Sequence, residues 1–240
     1  MTIKAVLFDL GGTLLDFNWE HPAEIYQKVL ASLGIPKSLD EAKTAFLNAE
    51  KEAEELNLFS SFGKMDREEY MSQWGALVLK HLGITEKELV SIVRSKWYDF
   101  TNFTLFPEVK EVLLELRQRG LKLGLISNSY EEGLHRELRD LELAKSTFDI
   151  IVGVDTVQCM KPHPDIFHYA LEKLKVKPDE AMFVGDDVEL DYKGAEKVGM
   201  YALLIDRTEK RKQRVLRTIK NLKEILSLRL IEISSASNKN

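Results

Sequence analysis

The chain has 240 residues, 44% hydrophobic and 30% charged, with a net charge of −5 and a pI near 5.7. It is long enough to bury a sizeable core as one large domain or two unequal ones, and its acidic balance argues against nucleic acid or an anionic membrane as the main partner. No apolar run approaches bilayer length, the N-terminus reads as a strand rather than a signal peptide, and a single cysteine, Cys159, excludes an internal disulfide and points to a reducing, cytoplasmic compartment.

The first predicted element is a buried strand, Ala5-Val6-Leu7-Phe8, which runs into Asp9 and is stopped by Leu10-Gly11-Gly12-Thr13. A carboxylate at the C-terminal tip of a buried strand faces the crevice where open α/β sheets bind ligands. Residues 16–104 carry no strong strand pattern and read as amphipathic helices. The first spans Pro22 to Leu33 with Gly34 as its stop, and the second spans Asp40 to Leu56. A third starts at Asp66, and a fourth opens on a capping box of Thr85 and Glu88 and ends near Trp97. The aromatic stripe through this region, from Phe59 to Phe106, reads as helix-bundle core rather than a ligand pocket.

A helix from Glu108 to Arg119 with Gly120 as its stop leads into the next strand, 121–126, which ends in Ser127-Asn128-Ser129. Phe148-Asp149-Ile150-Ile151-Val152 reads as another strand, and Val157-Gln158-Cys159-Met160 as a further one leading to Lys161-Pro162-His163-Pro164. Within that run Cys159 reads as a small core residue, not a nucleophile. Ala181-Met182-Phe183-Val184 ends in Gly185-Asp186-Asp187, with Asp191 one helical turn on, and 200–205 is the last strand. Five of these strands, alternating with helices, imply an α/β fold, a Rossmann-like doubly wound parallel five-stranded sheet, with a helical cap domain inserted after the first strand. The expected division is a core from 1–15 and 105–233, a cap from 16–104, and a frayed polar tail from 234–240. The basic run from Arg207 to Arg217 reads as a solvated connector and helix face.

In chain order the strand ends carry a carboxylate (Asp9), a hydroxyl (Ser127), a lysine (Lys161) and a carboxylate pair (Asp186, Asp187). This ordered quartet resembles the four motifs of the haloacid dehalogenase superfamily, and the resemblance extends from Lys4 to about Leu226. Within it the chain is most similar to phosphoglycolate-phosphatase-like and archaeal glyceraldehyde 3-phosphate phosphatase-like members, with a type-one cap. The resemblance implies Asp9 as a nucleophile that forms an aspartyl-phosphate. It implies Ser127, Asn128 and Lys161 at the phosphate, and Mg²⁺ held by Asp9, the Gly11 carbonyl and Asp186. Thr13, Asp187 and Asp191 are expected around that centre rather than on the ion, the two acids orienting water or Lys161.

One position departs from the family pattern. Its phosphatases usually carry a second Asp two residues after the nucleophile, which protonates the leaving group and then activates water, whereas this chain has Gly11. That help is worth roughly a hundred- to ten-thousand-fold. Asp16, Glu20 and His21 are the nearest substitutes by sequence. The expected function is a Mg²⁺-dependent phosphatase acting on a small phosphorylated metabolite, as a monomer or homodimer without nucleic-acid or membrane partners. The alternatives are a metal-independent 2-haloacid dehalogenase and a weakly catalytic phosphometabolite-binding protein. The acidic fourth motif favours the phosphatase, because a carboxylate substrate would be repelled there unless a cation intervened.

Overall fold

Ala5–Phe8 (β1) is buried at every position, as befits a continuous apolar run at the centre of a parallel sheet whose faces are covered by helices. It pairs in parallel with Lys122–Ile126 (β2) on one side and Ala181–Gly185 (β4) on the other. Ile150–Val152 (β3) extends the sheet beyond β2. Tyr201–Ile205 (β5) and Thr218–Ile219 (β6) extend it beyond β4. The computed structural model describes residues 2–17, 21–101, 103–143, 145–207 and 216–231; Glu20, most of the basic run and the polar tail lie outside the described residues.

The sheet therefore has six parallel strands in the order β3-β2-β1-β4-β5-β6, one more than the sequence suggested, because β6 is only two residues long. Strand order reverses between β1 and β4, and the crevice beyond their carboxyl ends is where such sheets bind ligands. Helices Val109–Gln118, Glu131–Asp140 and Pro164–Leu174 connect the strands. One core cluster joins Leu7, Ile126, Phe167, Phe183 and Tyr192, with Phe167 and Phe183 edge to face at 5.2 Å between ring centroids. Fully burying each such side chain stabilises the fold by about 1.5–3 kcal/mol.

The run 157–160 is not a strand. Val154–Val157 closes a single helical turn, Gln158 takes a left-handed conformation at φ 55°, and the chain reaches Lys161 without joining the sheet. Cys159 is partly buried against the core cluster, and burial raises its thiol pKa above the ordinary value.

The chain divides into two compact units, one built from Met1–Asp16 and Leu105–Asn240 and the other from Phe17–Thr104. The second is helical: Ala23–Ser32, Leu39–Glu55, Arg67–His81 and Glu88–Lys96. Gly34 ends the first of these at φ 78°, a conformation open to glycine at no steric cost. Ser38 forms a reciprocal cap with Glu41 at the second, and Asp66 accepts from the amides of Glu68 and Glu69 at the third. The box expected at Thr85 does not form, since the Thr85 amide donates to Glu86 instead (3.0 Å) and the helix begins at Glu88. Tyr26, Phe46, Trp74 and Trp97 meet edge to face at 5.1–5.7 Å, so this part of the aromatic stripe packs the bundle. No helix among the described residues is long and apolar enough to cross a membrane.

Candidate active site

Three of the four motifs stand at strand ends, and Lys161 reaches Asp9 from a loop. Asp9 lies one residue beyond β1, and its amide continues the ladder to Val184 O (2.9 Å). Ser127 lies one residue beyond β2, tied in the same way to Val152 O (3.1 Å). Asp186 directly follows β4. Strand ends are rigid, so side chains placed there are held without a loop having to fold around them.

Lys161 is the centre of the arrangement. It is 2% exposed, and its Nζ donates to Asp9 Oδ1 at 2.6 Å and to Asp191 Oδ1 at 2.7 Å. Burial opposes its charge, but the carboxylates of Asp9 and Asp191 outweigh that and hold its pKa above the ordinary lysine value. Burial is also the main influence on Asp9. It pushes the carboxyl up to about 6, with Asp191 adding to the rise and Lys161 restraining it. Asp9, Asp186 and Asp191 each offer a carboxylate oxygen, all within 4.8 Å of one another. Three carboxylates around one ammonium leave excess negative charge, and hard oxygen donors so disposed suit a divalent cation.

The surrounding residues show how the site is held. Asp191 engages both oxygens within the protein, Oδ1 on Lys161 and Oδ2 on the Asp187 amide (3.0 Å). Asp187 itself caps the π-helical turn Val188–Lys193, accepting from the amides of Glu189 and Leu190 at 2.8 Å each. Two glycines allow the close packing. A Cβ on Gly185 would stand 2.4 Å from the Asp191 side chain. One on Gly12, at φ 73°, would stand 2.5 Å from Asp186 Oδ2, so the turn after Asp9 presses directly on that carboxylate. Gly11 precedes it in the same turn, closed by Gly12 N–H to Leu15 O (2.8 Å).

Asn128 is occupied differently from expectation. Its amide oxygen accepts from Lys161 N (2.7 Å) and its amide nitrogen donates to Lys161 O (3.1 Å). The side chain thus braces the lysine backbone. Thr13 is fully buried, and its hydroxyl finds no hydrogen-bond partner among the described residues. Of the substitute acids, Asp16 is exposed, His21 Nδ1 accepts from the Ala23 amide at a helix start (3.0 Å), and Glu20 lies outside the described residues.

Arg207 and Glu108 were not anticipated as part of these surroundings. Arg207 donates to Glu108 Oε1 (2.8 Å) and to Thr13 O (2.6 Å), and its guanidinium lies 3.4 Å from the Phe106 ring centroid. Arg217, at the other end of the basic run, bonds Ala202 O (3.1 Å) and stacks 4.5 Å from the Tyr201 ring centroid. Both read in the sequence as solvated charge, and no local pattern marks a pairing 99 residues apart.

Residues 3–199 match the family of haloacid dehalogenase-like hydrolases. The chain belongs to that family. Among its relatives is the haloacid dehalogenase-like hydrolase domain-containing protein 3 of Xenopus laevis, 30% identical over 85% of each chain. Another is a glyceraldehyde 3-phosphate phosphatase of Methanopyrus kandleri, 28% identical over 85% of this chain and 84% of that one. The crystal structure of a HAD phosphatase from Thermococcus onnurineus shares 29% identity at a TM-score of 0.64, covering 94% of this chain and 97% of the other. A 2-haloacid dehalogenase from Pseudomonas syringae superposes at a TM-score of 0.69 over the same shares, but at 21% identity the likeness is one of fold alone. The chain is thus similar in sequence to a phosphatase and in fold to a dehalogenase as well. These likenesses establish a hydrolase of this family carrying an aspartate cluster suited to its mechanism, without singling out one subfamily.

Proposed function

We propose that this hydrolase is a Mg²⁺-dependent phosphatase that acts on a small phosphorylated metabolite, such as a triose phosphate or phosphoglycolate, through an aspartyl-phosphate on Asp9. The observation that carries the reading is the charge balance at the strand ends: Asp9, Asp186 and Asp191 gathered within 4.8 Å around Lys161. An anionic carboxylate substrate entering without a metal would meet net negative charge, whereas a bound divalent cation reverses that and suits a phosphate dianion.

The donor set fits Mg²⁺. Asp9 and Asp186, with the Gly11 carbonyl, would hold the ion, and Asp191 is committed to Lys161 and the Asp187 amide. When bound, the ion neutralises phosphoryl charge and keeps the Asp9 carboxylate ionised. Asp9 attacks phosphorus, the ester oxygen departs with the bonding electrons, and water later cleaves the acyl-phosphate to regenerate Asp9. Lys161 bridges Asp9 and the phosphoryl oxygens as a fixed point charge. Ser127 and the amides that follow β2 donate to the phosphate. Asn128 contributes by bracing Lys161.

With glycine at position 11, the first motif supplies no proton to the leaving alkoxide, so aryl and acyl phosphates are expected to outpace simple alkyl esters. The same glycine is the feature that keeps dehalogenation as the second reading. Phosphate and halide release from panels of phosphate esters and 2-haloacids, each with Mg²⁺ and with EDTA, separates them. Phosphate release only with metal supports the phosphatase, and halide release in EDTA overturns it. Phosphate-ester binding with no turnover under any condition indicates a binding protein.

A further inference from the structure

The turn that carries Asp9 into Gly11 and Gly12 is closed by its own backbone bonds, Gly12 N–H to Leu15 O and the amides of Leu14 and Leu15 to Leu10 O. Those bonds set its shape, not its position over the sheet. The Thr13 side chain offers no help, since its buried hydroxyl has no partner among the described residues. The Thr13 carbonyl, however, accepts from Arg207 at 2.6 Å, and Arg207 is itself immobilised. Its guanidinium lies on the Phe106 ring and donates to Glu108 Oε1. Glu108 is 5% exposed and also accepts from the Leu222 amide (3.4 Å). The Phe106 amide in turn donates to Leu14 O (3.1 Å). The turn is therefore pinned from outside at two successive carbonyls, one by Arg207 and one by the residue on which Arg207 stacks.

The consequence reaches the carboxylates. Gly12 sits so close to Asp186 that even a Cβ would collide with Oδ2, so a shift of the turn by a few tenths of an ångström changes the space left for Asp186 relative to Asp9. We propose that Arg207 is a positioning residue: by holding the Thr13 carbonyl it fixes the spacing of the Asp9 and Asp186 carboxylates and thereby the affinity for a divalent cation. Glu108 and Phe106 serve by holding Arg207. The proposal rests on the phosphatase reading above, because it assigns Arg207 an effect on Mg²⁺. A planar guanidinium with several donors in a fixed fork can stack and bond two acceptors at once, and lysine cannot.

The test is Mg²⁺ titration by calorimetry on the full chain, with thermal denaturation and Mg²⁺-dependent kcat measured in parallel. Residues that orient metal ligands typically change metal affinity by about 10- to 100-fold when removed. Arg207→Ala is expected to weaken Mg²⁺ binding by at least about tenfold, with kcat partly recovered at saturating Mg²⁺, and Arg207→Lys and Glu108→Gln by smaller factors in the same direction. Arg217→Ala is the control for a merely structural arginine. It too removes a stacked, carbonyl-bonded guanidinium from this unit, and it is expected to lower Tm with Mg²⁺ affinity unchanged. If Arg207→Ala does not fold, the Lys and Gln variants carry the measurement. Wild-type Mg²⁺ affinity in folded Arg207 variants overturns the positioning role alone, as does an equal loss of affinity in Arg217→Ala. Failure of the wild-type protein to bind Mg²⁺ overturns the phosphatase reading and this proposal together.

Discussion

The two units differ in where they place paired charge. The sheet unit holds two buried clusters, Lys161 with Asp9 and Asp191 at side-chain exposures of 3%, 10% and 2%, and Arg207 with Glu108 at 14% and 5%, beside exposed pairs such as Lys193 with Glu189 at 55% and 67%. In the helical unit the pairs lie toward solvent, as with Lys80 and Glu52 at 62% and 23%, or Arg67 and Glu68 at 20% and 61%. Desolvating a charge costs several kcal/mol even after relaxation, so a fold gains little stability from burying one. Burial does strengthen electrostatic interactions at the site and fix the geometry of its groups. The contrast assigns the sheet unit's buried charges to the site and the exposed charges of both units to solvation. It can be broken at several points.

The largest effect is expected at Asp9. An amide cannot form the acyl-phosphate, so Asp9→Asn should reduce kcat by at least about a thousand-fold. Stability should move the other way. The carboxyl pKa of about 6 lies above its ordinary 3.8, so this group's contribution is fully present below pH 3.8 and is lost as pH rises through 6. Asparagine stays neutral throughout. In EDTA, the Tm of Asp9→Asn relative to wild type should therefore rise between pH 4 and pH 7. A folded mutant with wild-type kcat would remove Asp9 from the reaction, and a mutant that loses Tm at pH 7 would show that the ion pair stabilises after all.

Lys161 should behave in the opposite sense, although it belongs to the same cluster. Lys161→Ala leaves Asp9 and Asp191 facing each other, buried, with no counterion between them. Breaking a buried pair in this way costs about 3–5 kcal/mol. Denaturant unfolding at pH 7 in EDTA measures it. A loss below about 1 kcal/mol would mean that water reaches the carboxylates and that the site is less enclosed than its exposures indicate.

Protons and metal should compete at these carboxylates. With the Asp9 carboxyl near 6 in the metal-free protein, the Mg²⁺ dissociation constant should be flat above about pH 7 and rise roughly tenfold per pH unit below 6. Calorimetry across pH 5 to 8 tests this. Affinity that stays flat down to pH 5 would place the titrating carboxyl outside the metal site.

How much of this was legible in the sequence depends on distance along the chain. Asp9, Ser127 and Asp186 could be read because each follows directly on an apolar run, and a strand tip in a parallel sheet is an informative address. The features that escaped are long-range or depend on competition between neighbours. Val157–Met160 has strand-like composition, but Gln158 at φ 55° turns the chain away from the sheet. Glu86 takes the Thr85 amide that the expected capping box left for a later partner. Asn128 reads as a polar end to a strand motif, and only the folded chain brings the Lys161 backbone against its side chain from 33 residues away. β6 spans two residues, too few for a period to be visible.

The smallest effect sharpens the contrast from its other side. Lys80 Nζ donates to both oxygens of Glu52 at 2.7 and 2.9 Å, and His81 Nε2 meets the same carboxylate at 2.9 Å. The Lys80 hydrogen bond is the main reason the Glu52 carboxyl lies below its ordinary value. By distance alone this pair rivals the Lys161 cluster. Its lysine, however, is 62% exposed, so water and salt screen the attraction and two long side chains lose rotamer freedom to hold it. Lys80→Ala should therefore leave Tm within about 2 °C of wild type and kcat unchanged, with any difference shrinking as salt is added. A shift as large as that of Lys161→Ala would mean that geometry rather than burial sets the worth of these pairs. The division between buried and exposed charge would then fail.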